Sequence, residues 1–225
     1  MSVTRAGRQA NRAATREARS GAGPTVAGVE PGVNPGATSK FGLFGEVLMV
    51  GLLMTIIALG VVTVPIALAA GIRHLRRFVA AEDSRTALFW DDVRIGILPS
   101  LRVGVPAAVI AAVLTVDVVL AGSGALPGGE AIAVIGWAGL LVLAVAVLLA
   151  AGAWSPTLGW TAAVRAVPAT VAGDVAGAAY IAAAAVFAGV VTWALTPLFI
   201  AGIGCAALAV VAVPARRRRG VQPAE

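Results

Sequence analysis

Ionisable and hydroxyl side chains are scarce in the apolar parts of this chain, so each one found there is a candidate for chemistry. Asp117 is the one acid well inside an apolar run. A carboxylate at membrane depth is costly to bury alone, and there it would serve as a cation or proton site or as a partner for another helix. Asp117 also lies close to the end of its run, about one helical turn from an interface where headgroups or water reach it. Both readings stand. Thr63 and Thr115 are the hydroxyls that would join it in an intramembrane polar site, with Thr55, Thr192 and Thr196 as further candidates. Glu46 and Asp174 each open an apolar run, which suits the start of a helix, where a carboxylate meets free amides and the positive dipole end. Glu82-Asp83 and Asp91-Asp92 are paired acids of the kind that do acid–base or metal work. With Arg85 and Arg94 beside them, surface ion pairing is the simpler expectation.

His74 and Cys205 each occur once. A His/Cys metal cluster and an internal disulfide are therefore both excluded. No nucleophile motif or glycine-rich phosphate loop appears. The expectation is a chain with no catalytic residue, no cofactor and no metal, and so not an enzyme.

The elements that would position these residues follow from composition. Of 225 residues, 59% are hydrophobic and 12% charged, and the mean hydropathy is +0.93. A soluble domain carries roughly 25% charged and 45–50% apolar residues. A water-soluble globule of this size still exposes about a third of its unfolded surface, too much for this composition. A soluble enzyme, a coiled coil and a disordered chain are excluded. What remains is an all-α fold, a polytopic membrane helix bundle of about five transmembrane helices plus short interfacial helices. The apolar runs lie near 47–71, 103–121, 131–153, 175–194 and 195–213. Each approaches the ~20 residues needed to cross about 30 Å of hydrocarbon. Thr63-Val64-Pro65 is a break point in the first run, since proline removes a donor and clashes one turn back. The last two runs are continuous in hydropathy, and Pro197 supplies the turn between them. Domain organisation reads as a disordered basic tail over 1–40, with a lipid-surface helix as the alternative there, a transmembrane helical domain over 41–214 and a cytoplasmic Arg-rich tail over 215–225.

The polar connections set sidedness. Arg73, Arg76, Arg77, Arg85, Arg94 and Arg102 separate the first two runs, Arg165 separates the third from the fourth, and Arg216–Arg219 follow the fifth. The stretch between the second and third runs has no basic residue. Arg-rich loops stay cytoplasmic, so the C-terminus is expected inside a bacterial cell membrane. If all five runs cross, the tail lies outside with its six basic residues, against the same rule. If the first run is re-entrant, four runs cross and both ends lie inside. Five crossings is the reading taken here, with the re-entrant first run as the alternative. In the tail, Arg5, Arg8, Arg12, Arg16 and Arg19 would form one stripe on a helix, and Pro24, Pro31 and Pro35 then read as linker. No signal-peptide pattern is visible. A pI near 11.2 raises nucleic acid as a partner, but arginines placed between apolar runs face headgroups instead, so no nucleic-acid partner is expected.

Two weaker patterns concern partners. Trp90 to Arg94 followed by Pro99, and Trp160 to Arg165 followed by Pro168, read as two short interfacial helices with tryptophan at headgroup level. Gly173, Gly177, Ala182, Ala185 and Gly189 place small residues along the fourth run, where backbones can approach in lipid. These are candidate helix-packing residues, within the chain or for self-association. Arg73, Arg76, Arg77, Trp90 and Arg94 form a candidate cytoplasmic docking surface.

The segment Thr63-Val64-Pro65-Ile66-Ala67-Leu68-Ala69-Ala70, then Arg73 to Arg77, then Phe89-Trp90-Asp91-Asp92-Val93-Arg94, resembles the YesL-like family of bacterial membrane proteins. The chain departs from that pattern in lacking the glycine before the proline and in carrying a long N-terminal tail. The resemblance implies an accessory role beside a carbohydrate-uptake system, with transporter subunits as partners, and carries over no catalytic residue. The function expected is therefore a non-enzymatic accessory or scaffold protein. The alternative is a small-solute permease or channel, which would need polar residues converging at mid-membrane.

Overall fold

The structure is a computed structural model that describes residues 40–123 and 128–221. The tail arginines Arg5 to Arg19, the prolines after them and the tip of the basic-free loop lie outside the described residues. Seven α-helices follow in order: α1 (Lys40–Ala58), α2 (Val64–Val79), α3 (Thr86–Gly122), α4 (Gly129–Ala153), α5 (Gly159–Gly173), α6 (Val175–Ala194) and α7 (Phe199–Val221), with a 3-10 turn at Thr196–Leu198 before α7. No strand occurs among the described residues. Four helices, α1, α3, α4 and α6, are long and apolar enough to cross a membrane, and the Phe199–Ala215 part of α7 is a shorter apolar helix. The chain is an all-α bundle of membrane type, with five apolar helices as its composition requires.

The first run does not make a single passage. It stops at Ala58, reverses through Leu59–Thr63 and returns as α2. Val61 takes a left-handed φ of 51° in this reversal, an uncommon conformation for a β-branched residue. Pro65 falls in the first turn of α2, where its missing N–H costs nothing. The Thr63 hydroxyl donates to the Ile57 carbonyl and ties the two arms together. Glu46 near the start of α1 meets His74 near the end of α2, so the arms are antiparallel.

α2 is the centre of the molecule, although it is only 16 residues long. It packs against α1, α3, α4 and α7, and Pro65 to Ile72 are all buried. Its neighbours approach it at glycines. A Cβ at Gly71 would strike Met54, one at Gly96 would strike Ile66 and Trp154, and one at Gly104 would strike the Val62 carbonyl. In a medium with no hydrophobic drive between helices, such close backbone approach supplies the packing contact.

Two further antiparallel hairpins flank this core, α3 with α4 and α6 with α7. Ala121 faces Gly129 at one end of the first, and Gly96 faces Trp154 at the other. In the second, Ala188 faces Gly202 and Gly177 faces Val213. Arg76, Gly152, Asp174 and Val213 border one groove. The end of α2, the start of α3, the end of α4, the start of α6 and the end of α7 therefore share one end of the bundle, here called the arginine end. α1 also begins there, and the reversal at residues 59–63 returns the chain to the same end.

The expected pair of interfacial helices divides unequally. Trp160 to Arg165 does lie on a separate short helix, α5. Trp90 to Arg94 does not, because α3 runs unbroken through Pro99 and Pro106 for 37 residues. The tail expected over 215–225 begins as helix, since α7 continues through Arg216–Arg219.

Candidate functional site

Polar side chains gather at the arginine end, and periodicity on α2 explains how. Arg73 and Arg77 are four apart and share one face of that helix. Both reach Asp92 on α3. Arg73 Nε donates to Asp92 Oδ2 at 3.1 Å, and Arg77 Nη2 lies 3.0 Å from the same oxygen. Asp92 is 4% exposed, so its charge is compensated mainly by these two guanidiniums. Arg73 also sits over the Trp154 ring, 5.7 Å from its centroid, a cation–π distance. Trp154 in turn stacks on Trp160 at 5.5 Å. Trp160 is thus buried in the junction of α4 and α5.

Next to this triad lies a second buried pair. His74 is fully buried, and its Nε2 is 2.5 Å from Glu46 Oε1. Phe89 closes over the imidazole edge-on. Glu46 lies six residues inside α1, so it spans between helices and does not cap one. His74 Nδ1, Arg77 Nη1 and Trp160 Nε1 are buried without a hydrogen-bond partner. Arg76 points the other way and donates from Nη2 to the Gly152 carbonyl at 3.1 Å, an oxygen in the last turn of α4 where cations are favoured.

Outside this cluster Asp83 and Asp91 behave as surface groups. Asp83 accepts from Arg85 Nε at 2.9 and 3.0 Å, and this side-chain hydrogen bond holds the Asp83 carboxyl below its usual range. Asp91 lies 4.0 Å from Arg94, with both largely exposed. Surface pairing thus describes Asp83 and Asp91, but not Asp92, which turns inward. Asp174 caps α6, accepting from Gly177 N at 2.9 Å.

The five candidate docking residues separate accordingly. Arg73 and Arg77 turn toward Asp92, and Arg76 lies against α4. Trp90 and Arg94 are exposed on α3. The candidate intramembrane polar residues do not converge. Thr63 lies in the α1–α2 reversal, Thr115 donates to the Ala111 carbonyl of its own helix, and Asp117 is half-buried on α3. Thr55 and Thr192 likewise bond to carbonyls four residues back.

At the other end of α2 lies a cavity of about 510 Å³. Its floor is the start of α2, and its walls come from α3, α4, α6 and α7. Thr192 is the one polar side chain in the lining, and its hydroxyl is already used within α6. The small residues of α6 divide here. Gly177 packs against α7, while Ala185 and Gly189 line the cavity. Ala182 is half-buried and Gly173 is exposed with open space around it. Sequence reasoning located the basic loop but missed the Glu46–His74 pair and the cavity.

Compared with known protein families, with curated proteins and with solved structures, the chain has no match. Its functional reading therefore rests on its own sequence and geometry.

Proposed function

We propose that this chain is a non-enzymatic integral membrane protein that acts as an accessory or scaffold component, with its arginine end on the cytoplasmic side of a bacterial cell membrane. The observation that carries this reading is the division of polarity. Arg73, His74 and Arg77 are tied to Asp92 and Glu46 at one end, where they hold α1, α2 and α3 together, while the cavity beyond them is lined by apolar side chains and Thr192. A hydrophilic-solute permease needs polar groups converging at depth to replace hydration. The cavity here offers methyl and methylene groups. The exposed Trp90, Asp91 and Arg94 on the overhanging start of α3 supply the partner-facing surface. The family resemblance of residues 63–94 makes a carbohydrate-uptake system the first partner to test.

The test is reciprocal purification from native membranes of the wild type and of Trp90→Ala/Arg94→Glu. A permease component recovered in fixed ratio with the wild type and lost from the double variant supports the scaffold reading. Uptake of labelled sugar by vesicles holding the purified chain alone, abolished by Asp117→Asn, would establish the permease instead.

A further inference from the structure

The α1–α2 hairpin is too short to fill the bundle. Its tip meets α3 at Gly104, where the Val62 carbonyl lies against the helix. From Gly104, α3 runs on to Gly122, about 27 Å at 1.5 Å per residue. Over that length α3 makes no extended contact with α6 or α7. The cavity of about 510 Å³ occupies this gap, floored by Val61, Val64 and Pro65 and walled by Ala111, Ala185 and Gly189.

We infer that this cavity holds an acyl chain of a bilayer phospholipid, drawn from the leaflet opposite the arginine end. Three observations favour that occupant. The lining is apolar, so water gains too few hydrogen bonds to enter. The volume lies within the ~300–1,000 Å³ range of formed ligand sites, and bare walls would forgo dispersion contacts on that scale. α3 makes no extended contact with α6 or α7, which leaves the gap between them accessible to the medium that supplies hydrocarbon chains. Charge then selects the headgroup. Glu130 begins α4 at that end and Asp117 lies near it, while no Lys, Arg or His occurs from residue 103 to 164. An amine-bearing zwitterionic headgroup therefore suits this end better than an anionic one.

The experiment uses the full chain reconstituted in vesicles of equal parts phosphatidylethanolamine and phosphatidylglycerol, then re-extracted in mild detergent and washed. Retained lipid is measured by phosphorus assay and headgroup mass spectrometry. The wild type should keep about one phospholipid per chain, enriched in phosphatidylethanolamine, and Ala185→Leu/Gly189→Leu should lower that retention about tenfold. Ala183→Leu, on the exposed face of the same helix, should retain lipid as the wild type does. Ala111→Leu fills the cavity from the α3 wall and should reproduce the loss, which separates filling from misfolding of α6. Equal retention by wild type and both cavity variants would overturn the inference. So would binding of free palmitate with no phospholipid retained, since that names a different source of the chain.

Discussion

Asp92 gives the sharpest test of the polar cluster. Its Oδ2 lies 3.1 Å from Arg73 Nε and 3.0 Å from Arg77 Nη2, with only 6% of its side chain exposed. Asp92→Asn keeps the shape and removes the charge, leaving two guanidiniums of like sign on one helix face. Removing one partner of a fully buried pair costs about 3–5 kcal/mol. Here the arginine side chains keep 23% and 19% of their exposure, so water relieves part of the loss, and about 2–3 kcal/mol is the working figure. For a chain of this size that is a fall of about 5–10 °C in the melting temperature. The control is Asp91→Asn, one position away, 59% exposed and 4.0 Å from Arg94, for which about 0–0.5 kcal/mol is expected. Melting of both variants, followed by tryptophan fluorescence in the same detergent, makes the comparison. A cycle pairing Asp92→Ala with Arg73→Ala and with Arg77→Ala should return a coupling above ~1 kcal/mol for each pair. If Asp92→Asn melts within about 1 °C of Asp91→Asn, the burial argument is wrong.

Three other perturbations follow from local geometry. α2 ends in a Schellman arrangement, Ala81 N bonding to Phe78 O and Glu82 N to Arg77 O, with Ala81 at a left-handed φ of 57°; Ala81→Gly should stabilise by about 1 kcal/mol, read as a raised melting temperature. Gly104→Val would drive a side chain into the Val62 carbonyl, forcing the hairpin off α3; a loss of the folded fraction on gel filtration is expected, and an unchanged elution profile would contradict the close approach. At Asp83, the lowered pKa means that the folded loop favours the charged form, so the stabilisation is complete above the ordinary carboxylate range and is lost as pH falls through the lowered value; Arg85→Gln should raise the Asp83 titration midpoint seen by carboxyl carbon NMR.

The fold was legible where a single local property decides it. Run length and apolarity mark α4 and α6 to within a few residues, and the Pro197 turn between α6 and α7 follows from the impossibility of so long a single helix. Thr63 and Pro65 marked a break in the first run, yet not its angle. The angle depends on Val61 taking a left-handed conformation and on Gly71, Gly96 and Gly104 admitting the returning helix, which are properties of packing between distant segments. Pro99 misled for the opposite reason. A proline's local penalty ends a helix only when nothing offsets it, and here Phe89, Asp92 and Gly96 are buried on one side of it and Ser100 and Gly104 on the other, all on the continuous helix.

The candidate site shows the same division more severely. Charge type and loop placement identified the arginine end, but a local pairing rule matched Asp92 to Arg94 because they are near in sequence. The fold matches Asp92 to Arg73 and Arg77, 19 and 15 positions earlier. Burial is the reason: Arg94 faces outward on α3, and an inward carboxylate must find its partner on the helix packed against it. The small-residue pattern of α6 is ambiguous for a related reason. Gly177 and Gly189 have the same lack of a side chain, and only the neighbour decides what that lack does. The Asp174 cap and Val213 of α7 together fill the space at Gly177, whereas at Gly189 nothing lies within 4 Å. One sequence pattern thus yields a tight helix contact at the arginine end and a cavity wall toward the other, and the length of the α1–α2 hairpin is what separates the two outcomes.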